Sequence, residues 1–423
     1  MVSLSNKSSS FPAPSAPPKI ELIDFRGIIL VLVFFLATLR GDRISEFWTG
    51  YKVVLWWPVE LMRVYSLYII AGLMALYTCL HVLYLNKGGA IRFSWPMFFL
   101  LTFNGIEFTR QYSIGYTTST EWLLSIGALL VLLVAIGVSK ERSVTEATNR
   151  LVAIVLLAFI VFSIASLLEL YFDRDNVFWN GRFNGVTSHP VFCGVISSFG
   201  GAAGVHLLLD RRLGAMWKIL ALYAALVGVA FIVMSGTRTG VVVFALIFAG
   251  VCLPHLRSSR IIAIAVVAAL ILGGIYFAFH LMEADGGIGE SRIVSSENTR
   301  ELAWQRLWKV FMENPFTGSP GQVGESSYLR ILASGGLLGA IPFMIGIVML
   351  SIRMAAVAFS PKLGKLGWPL VGWCIGLLAL GVFEGYMLDQ ITYPFLVLLS
   401  TIAALYSVET NNLTPGRPPV ATR

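Results

Sequence analysis

The stretch 151–172 reads LVAIVLLAFIVFSIASLLELYF. A helix needs about 20 apolar residues to cross a bilayer core of roughly 30 Å, and this run meets that requirement with one carboxylate. Working outward, similar runs recur at 27–39, 66–85, 93–108, 121–138, 190–209, 217–234, 240–254, 261–282, 328–350, 367–386 and 391–407. Hydrophobic residues make up 57% of the 423 and charged residues 13%, with a mean hydropathy of +0.77. A soluble domain carries about 25% charge, because its surface must face water. The expectation is an all-α, polytopic membrane bundle of about twelve transmembrane helices. A soluble enzyme, a secreted disulfide module and a nucleic-acid binder are excluded as readings.

Boundaries follow from the same pattern. Residues 1–25 are expected to form a disordered cytoplasmic tail, rich in Ser, Pro and Lys over 1–20. Spans one to nine fall in 26–282, an extracytoplasmic loop in 283–327, spans ten to twelve in 328–408 and a second cytoplasmic tail in 409–423. No small-residue cleavage site follows the first run, so it reads as an uncleaved span. With the N-terminus inside, short inner loops such as 210–218 and 255–260 carry the excess of Lys and Arg. An even number of spans then puts both termini in the cytoplasm. The net charge of +8 reflects those loops, not nucleic acid.

The chemistry-bearing types are sparse. Cys79, Cys193, Cys252 and Cys374 lie far apart in apolar runs, and the five histidines show no metal-ligand spacing. No phosphate loop of the GxxxxGK[ST] type is present. Gly286, Gly287 and Gly289 follow no strand and read as a flexible loop. No metal and no cofactor is expected.

Three outward-facing segments stand out. Asn180-Gly-Arg182-Phe-Asn-Gly185 precedes Ser188-His189-Pro190, where Pro190 suits a first helical turn. Ser235-Gly-Thr237-Arg238-Thr239-Gly240 makes a very short break between two apolar runs, placing hydroxyls, a guanidinium and helix-end amides together. That combination suits an oxyanion, phosphate above all. In the long loop, Asn298 reads as an N-cap and Glu301 as its capping-box partner. Trp304, Leu307, Trp308 and Phe311 then form one apolar stripe, expected to lie at the interface with the bilayer. Arg300 falls on that side and Arg306 and Lys309 opposite. Glu313-Asn314-Pro315 ends the helix, and the glycines from Gly318 to Gly324 read as a flexible link. An arginine beside a span end is a functional candidate, although it also snorkels to headgroups; the loop helix also reads as a solvent-exposed element without chemistry.

Taken together these segments resemble the O-antigen ligase and O-antigen polymerase superfamily, multispanning glycosyltransferases that use polyprenyl-diphosphate-linked glycans. The resemblance covers about 180–340: Arg-Phe-x-Gly before His-Pro, Ser-Gly-Thr-Arg-Thr-Gly, Arg-x3-Trp running into Glu-Asn-Pro-Phe-x-Gly, then Ser-Tyr-Leu with Gly335 and Gly339. Ligases of the superfamily carry His-Asn just before that Tyr-Leu; here Glu325 and Ser326 stand there, and Val191 follows Pro190 where Asn is common. The missing histidine points to the polymerase branch, or an exopolysaccharide polymerase.

What the resemblance implies is a metal-independent transfer outside a bacterial inner membrane, from undecaprenyl diphosphate to a sugar hydroxyl. Arg238 and Arg182 are assigned to the diphosphate, with Arg300 as a third clamp. Glu325 is the candidate base, supported by Tyr328. His189, Thr237, Thr239 and Asp389 are assigned to substrate, with Glu384 in reserve. Membrane lipids, a chain-length regulator and a flippase are the implied partners. The alternatives are an O-antigen ligase that transfers to a lipid or protein, a polytopic transporter, and a non-catalytic assembly or sensor protein. A transporter is expected to place its site at the midplane between broken helices, which the sequence does not display.

Overall fold

The computed structural model describes residues 23–39, 55–86, 90–140, 142–179, 181–210, 212–255, 299–360, 363–388 and 391–408. Helices run at Phe25–Leu39 (α1), Trp57–Leu85 (α2), Trp95–Ser113 (α3), Ser119–Ala135 (α4), Val144–Phe172 (α5) and Pro190–Leu209 (α6). They continue at Ala215–Ser235 (α7), Arg238–Cys252 (α8), Thr299–Glu313 (α9), Ser327–Ala358 (α10), Gly364–Phe383 (α11) and Tyr393–Ser407 (α12). Helices thus occupy every apolar run except the ninth, 261–282, which lies outside the described residues, as do residues 1–22 and 409–423 of the two expected tails, the 286–289 glycines and Asn298. The end of the first tail is described, and Phe25 already opens α1. Among the described residues, six helices are long and apolar enough to cross a membrane: α2, α5, α6, α7, α10 and α11. α1, α4, α8 and α12 are shorter apolar helices.

Local signals set the ends. Thr118 and Glu121 close a capping box at the start of α4, and the Ser143 hydroxyl accepts from Glu146 N at the start of α5. Pro190 and Pro394 sit in first turns, where a missing N–H costs nothing. Gly236, with φ at +58°, closes α7 in the left-handed conformation that L side chains resist. After Thr237, α8 begins at Arg238.

Hydrophobic burial does not discriminate between helices in lipid, so close packing must hold them together. α6 shows how. A Cβ on Gly240 of α8 meets the backbone of Gly194 of α6, and one on Gly194 meets the side chains of Ser235 and Thr237. The Ser198 Oγ lies 2.6 Å from the carbonyl oxygens of both glycines, in reach to donate its one proton to either. Aromatic rings fill the middle: Phe34, Tyr393, Phe199 and Trp373 link α1, α12, α6 and α11 through successive contacts of 5.8, 6.1 and 5.8 Å. α10, by contrast, exposes Leu337, Leu338, Ile341, Met344 and Val348, the apolar surface a helix presents to lipid.

The helices alternate in direction and define two ends. The lower end holds the starts of α1, α3, α5, α7 and α11. There β1 (Ile91–Phe93) pairs antiparallel with β2 (Val138–Lys140), and Arg142 bridges Val408. The upper end holds α9 and a two-residue hairpin, β3 (Phe178–Trp179) with β4 (Arg182–Phe183).

Two features depart from the sequence reading. α10 is interrupted at Gly336, where φ is +60° and ψ −170°. Into that break runs the segment after α9: Leu337 N donates to Pro315 O at 2.8 Å, Leu338 N to Phe316 O at 3.0 Å and Ser319 N to Ala333 O at 2.7 Å. The expected flexible link is therefore a stitched one over 315–319. A Cβ on Gly318 meets the backbone of Ser334 and Gly336, so glycine here permits backbone contact and does not loosen the chain.

Candidate functional site

The three sequence segments of interest converge on the upper end, where a fourth joins them. Arg300 opens α9 and is three-quarters buried. Its Nε donates to Glu325 Oε2 at 2.9 Å and its Nη2 to Glu384 Oε1 at 2.8 Å. Nη2 also reaches Thr239 Oγ1 at 3.0 Å, and that hydroxyl donates to the same Glu384 oxygen at 3.3 Å. The Phe383 ring lies 5.5 Å from the guanidinium carbon. One guanidinium thus ties α8, α9, the entrance of α10 and the exit of α11. Glu325 keeps 46% of its side chain exposed, against 17% for Glu384, so solvent reaches the network from the Glu325 side.

The backbone beneath is rigid. Ser327 N and Oγ both donate to Glu384 O, at 3.1 and 2.7 Å, and Met387 N donates to Ser327 Oγ at 3.2 Å. Arg330 donates to Gln322 O and Gly385 O at 2.7 and 2.9 Å. Ser326 holds φ at +90°, costly for any residue but glycine, while its hydroxyl accepts from Leu329 N at 3.4 Å. Strain next to a half-exposed carboxylate marks a place that the surrounding bonds over-determine.

Arg238 is exposed on the first turn of α8, beside Thr239. Thr237 precedes that turn without capping it with its side chain; its hydroxyl donates instead to Pro190 O at 3.1 Å. First-turn amides and an exposed guanidinium therefore share one side of the Arg300 network, a combination favourable to an oxyanion.

Arg182 is turned differently. Phe183, fully buried, packs its ring 4.7 Å from Phe231 of α7, and strand alternation sends Arg182 the other way. Its Nε donates to Ser235 O at 2.7 Å, and Nη2 lies 3.4 Å from both Gly236 O and Thr237 Oγ1. Those donors brace the last carbonyls of α7. His189 caps α6, its Nδ1 accepting from Val191 N at 3.2 Å, with its ring 4.7 Å from Trp179. Tyr328 points into the bundle and donates to Leu378 O at 2.9 Å, so its hydroxyl does not support Glu325. Asp389 lies outside the described residues.

α9 divides its stripe. Leu307 is fully buried and Phe311 nearly so, with Leu307 against Gly324, whereas Trp308 stays exposed beside Leu302 and Met312. The helix packs on α10 and still presents an apolar edge outward.

Sequence reasoning missed Glu107 and Arg110 at the upper end of α3. Glu107 Oε1 accepts from Gly321 N at 2.9 Å, and Arg110 donates to Ser334 O at 2.7 Å and Gly318 O at 3.3 Å. The signal was present as two opposite charges one helical turn apart, closing an apolar run. Among the described residues no three metal-ligating side chains cluster. No protein-family model and no curated protein matches the sequence.

Proposed function

We propose that this protein is a membrane glycosyltransferase that extends polyprenyl-diphosphate-linked glycans, acting as a polymerase at its upper end. In this reading the chain crosses a bacterial inner membrane twelve times, both termini are cytoplasmic, and the upper end faces outward. The observation that carries it is the Arg300 network: four segments distant in sequence bring two carboxylates, a hydroxyl and a guanidinium together beside the exposed Arg238.

The chemistry follows from where charge develops. An acceptor sugar hydroxyl attacks the anomeric carbon of the donor glycan, the bond from that carbon to the diphosphate oxygen breaks, and the hydroxyl proton passes to Glu325. The leaving diphosphate gains negative charge, which Arg238 and the α8 amides neutralise. Arg300 serves both sides: it holds Glu325 and Glu384 apart from one another and adds positive charge next to the leaving group. The donor's diphosphate competes with Glu325 for Arg300, which couples substrate arrival to release of the base. Arg182, His189 and Thr237 fix the hairpin that carries Arg238, acting through the backbone. The break in α10 does not favour transport, because the chain's own 315–319 segment fills it.

The test is direct. Purified protein is incubated with undecaprenyl-diphosphate oligosaccharide from its own cell, and glycan length is read on a gel. A ladder is expected. Transfer only when a second lipid or protein acceptor is added identifies a ligase, and intact substrate with folded protein and no transfer removes the glycosyltransferase reading.

A further inference from the structure

The lower end carries a site that the proposed reaction does not use. A cavity of about 90 Å³ opens there between α1, α2, α5 and α12, with His81, Ser139, Arg142, Arg150 and Ser407 in its wall. That volume admits several water molecules or one phosphate group.

Its electrostatics are unbalanced. Arg26 and Lys140 both stack on the Tyr84 ring, 3.5 and 4.2 Å from its centroid. Asp24 answers two cations at once: its carboxylate accepts from Arg26 Nε at 2.9 Å and from Arg150 at 2.8 and 3.3 Å. Arg142 is 12% exposed, and its Nε is buried without a hydrogen-bond partner. The Glu146 carboxylate stands 3.8 Å from that nitrogen and is 60% exposed, so solvent screens it. His81 adds no acceptor charge: its Nε2 donates to Val138 O at 2.7 Å, leaving Nδ1 to face Arg26 at 3.5 Å. Among the described residues, the carboxylates that Arg26, Lys140, Arg142 and Arg150 meet are Asp24 and a screened Glu146, with the neutral Tyr84 hydroxyl as a further partner of Arg26 and Arg142. Cations crowded against an uncharged, partly apolar wall repel unless an anion joins them.

We infer that this cavity binds one phosphate group, held by Arg142 and Arg150 with Ser139 beside them. Guanidinium forks suit two phosphate oxygens. The group belongs either to an anionic phospholipid headgroup or to free inorganic phosphate, and it would pin α2, α5 and α12 together at the lower end.

Two measurements on the full-length protein separate the sources. In detergent, the thermal midpoint is compared in sodium phosphate and in sodium chloride of equal ionic strength. In nanodiscs, native mass spectrometry compares retention of phosphatidylglycerol with that of phosphatidylcholine. A midpoint rise of several degrees in phosphate identifies the free ion; one retained phosphatidylglycerol per chain identifies the headgroup. In either arm Arg142→Gln is expected to weaken binding at least tenfold. Lys140→Gln, at a partly exposed position, is expected to weaken it about threefold and serves if the first variant folds poorly. No phosphate-specific shift and no selective lipid retention in the wild type overturns the inference, as does binding that both variants leave unchanged.

Discussion

Lys218 at the lower end and Arg300 at the upper end are both cations beside helix termini, yet their donors go to different partners. Lys218 Nζ donates to the carbonyls of Leu207, Leu208 and Asp210, closing the end of α6. Arg353 does the same for α12 through Leu405 O and Val408 O, at 3.2 and 2.8 Å. Those carbonyls are the unsatisfied groups of a helix C-terminus, where positive charge is favourable. Arg300 instead bridges carboxylates from different segments and borders solvent. Arg182 belongs with Lys218 despite its position at the upper end. A cation that satisfies carbonyls is part of the scaffold, whereas one that holds carboxylates beside an open edge is placed to exchange them for a ligand.

The contrast makes its sharpest demand on Glu325. Glu325→Gln keeps the shape and removes the proposed base, and glycan transfer is expected to fall about 10²- to 10⁴-fold with an unchanged thermal midpoint. Full activity would move the base elsewhere, with Glu384 next in line. Arg300→Ala is expected to lower transfer about 10²-fold or more and to destabilise the upper end, since two carboxylates then face each other without their cation. The double variant Arg300→Met with Glu384→Gln should recover the midpoint and leave transfer low; recovery of both would make the network a brace. Arg182→Met and Lys218→Met are each expected to cost about 1.5–3 kcal/mol in denaturant unfolding, the worth of hydrogen bonds from a charged donor. Lys218→Met should leave transfer untouched, and a loss of transfer there breaks the division drawn between the two ends.

The smallest effect concerns pH. Burial pushes the Asp24 carboxyl up, but the charge of Arg150 and hydrogen bonds from Arg26, Gly27 and Arg150 outweigh it and hold the group at about 2. Because the folded value lies below the ordinary one of 3.8, its stabilisation is complete above that value and is lost as pH falls through the folded one. Asp24→Asn removes it at every pH. Unfolding curves of the two proteins should therefore differ at pH 7 and converge near about pH 2; parallel curves would show that the Asp24–Arg150 pair contributes nothing.

The helices were legible because bilayer thickness imposes a length and a composition on each run, as 151–172 and 190–209 show. The convergence of Arg300, Glu325 and Thr239 was legible only as a shared side, since nothing local states which carboxylate a guanidinium takes. Glu384 was visible as an acid closing an apolar run, without its partner. The break at Gly336 was not legible: its cause lies in Pro315 to Gly318, which pack into it from twenty residues upstream. The direction of Arg182 was not legible for a related reason. A guanidinium flanked by glycines reads the same whether its donors meet phosphate or carbonyls, and only the ring of Phe183 against Phe231 settles its direction.

Arg238 offers the most direct measurement, because it is exposed on the first turn of α8, beside the Arg300 network. Single-turnover glycan transfer is measured for the wild type, Arg238→Ala and Arg238→Lys, with thermal midpoints alongside. The expected result is a loss of about 10²- to 10³-fold in the alanine variant, nearly as large a loss in the lysine variant, and midpoints within about one degree. Transfer at the wild-type rate in Arg238→Ala would contradict an oxyanion site at the upper end.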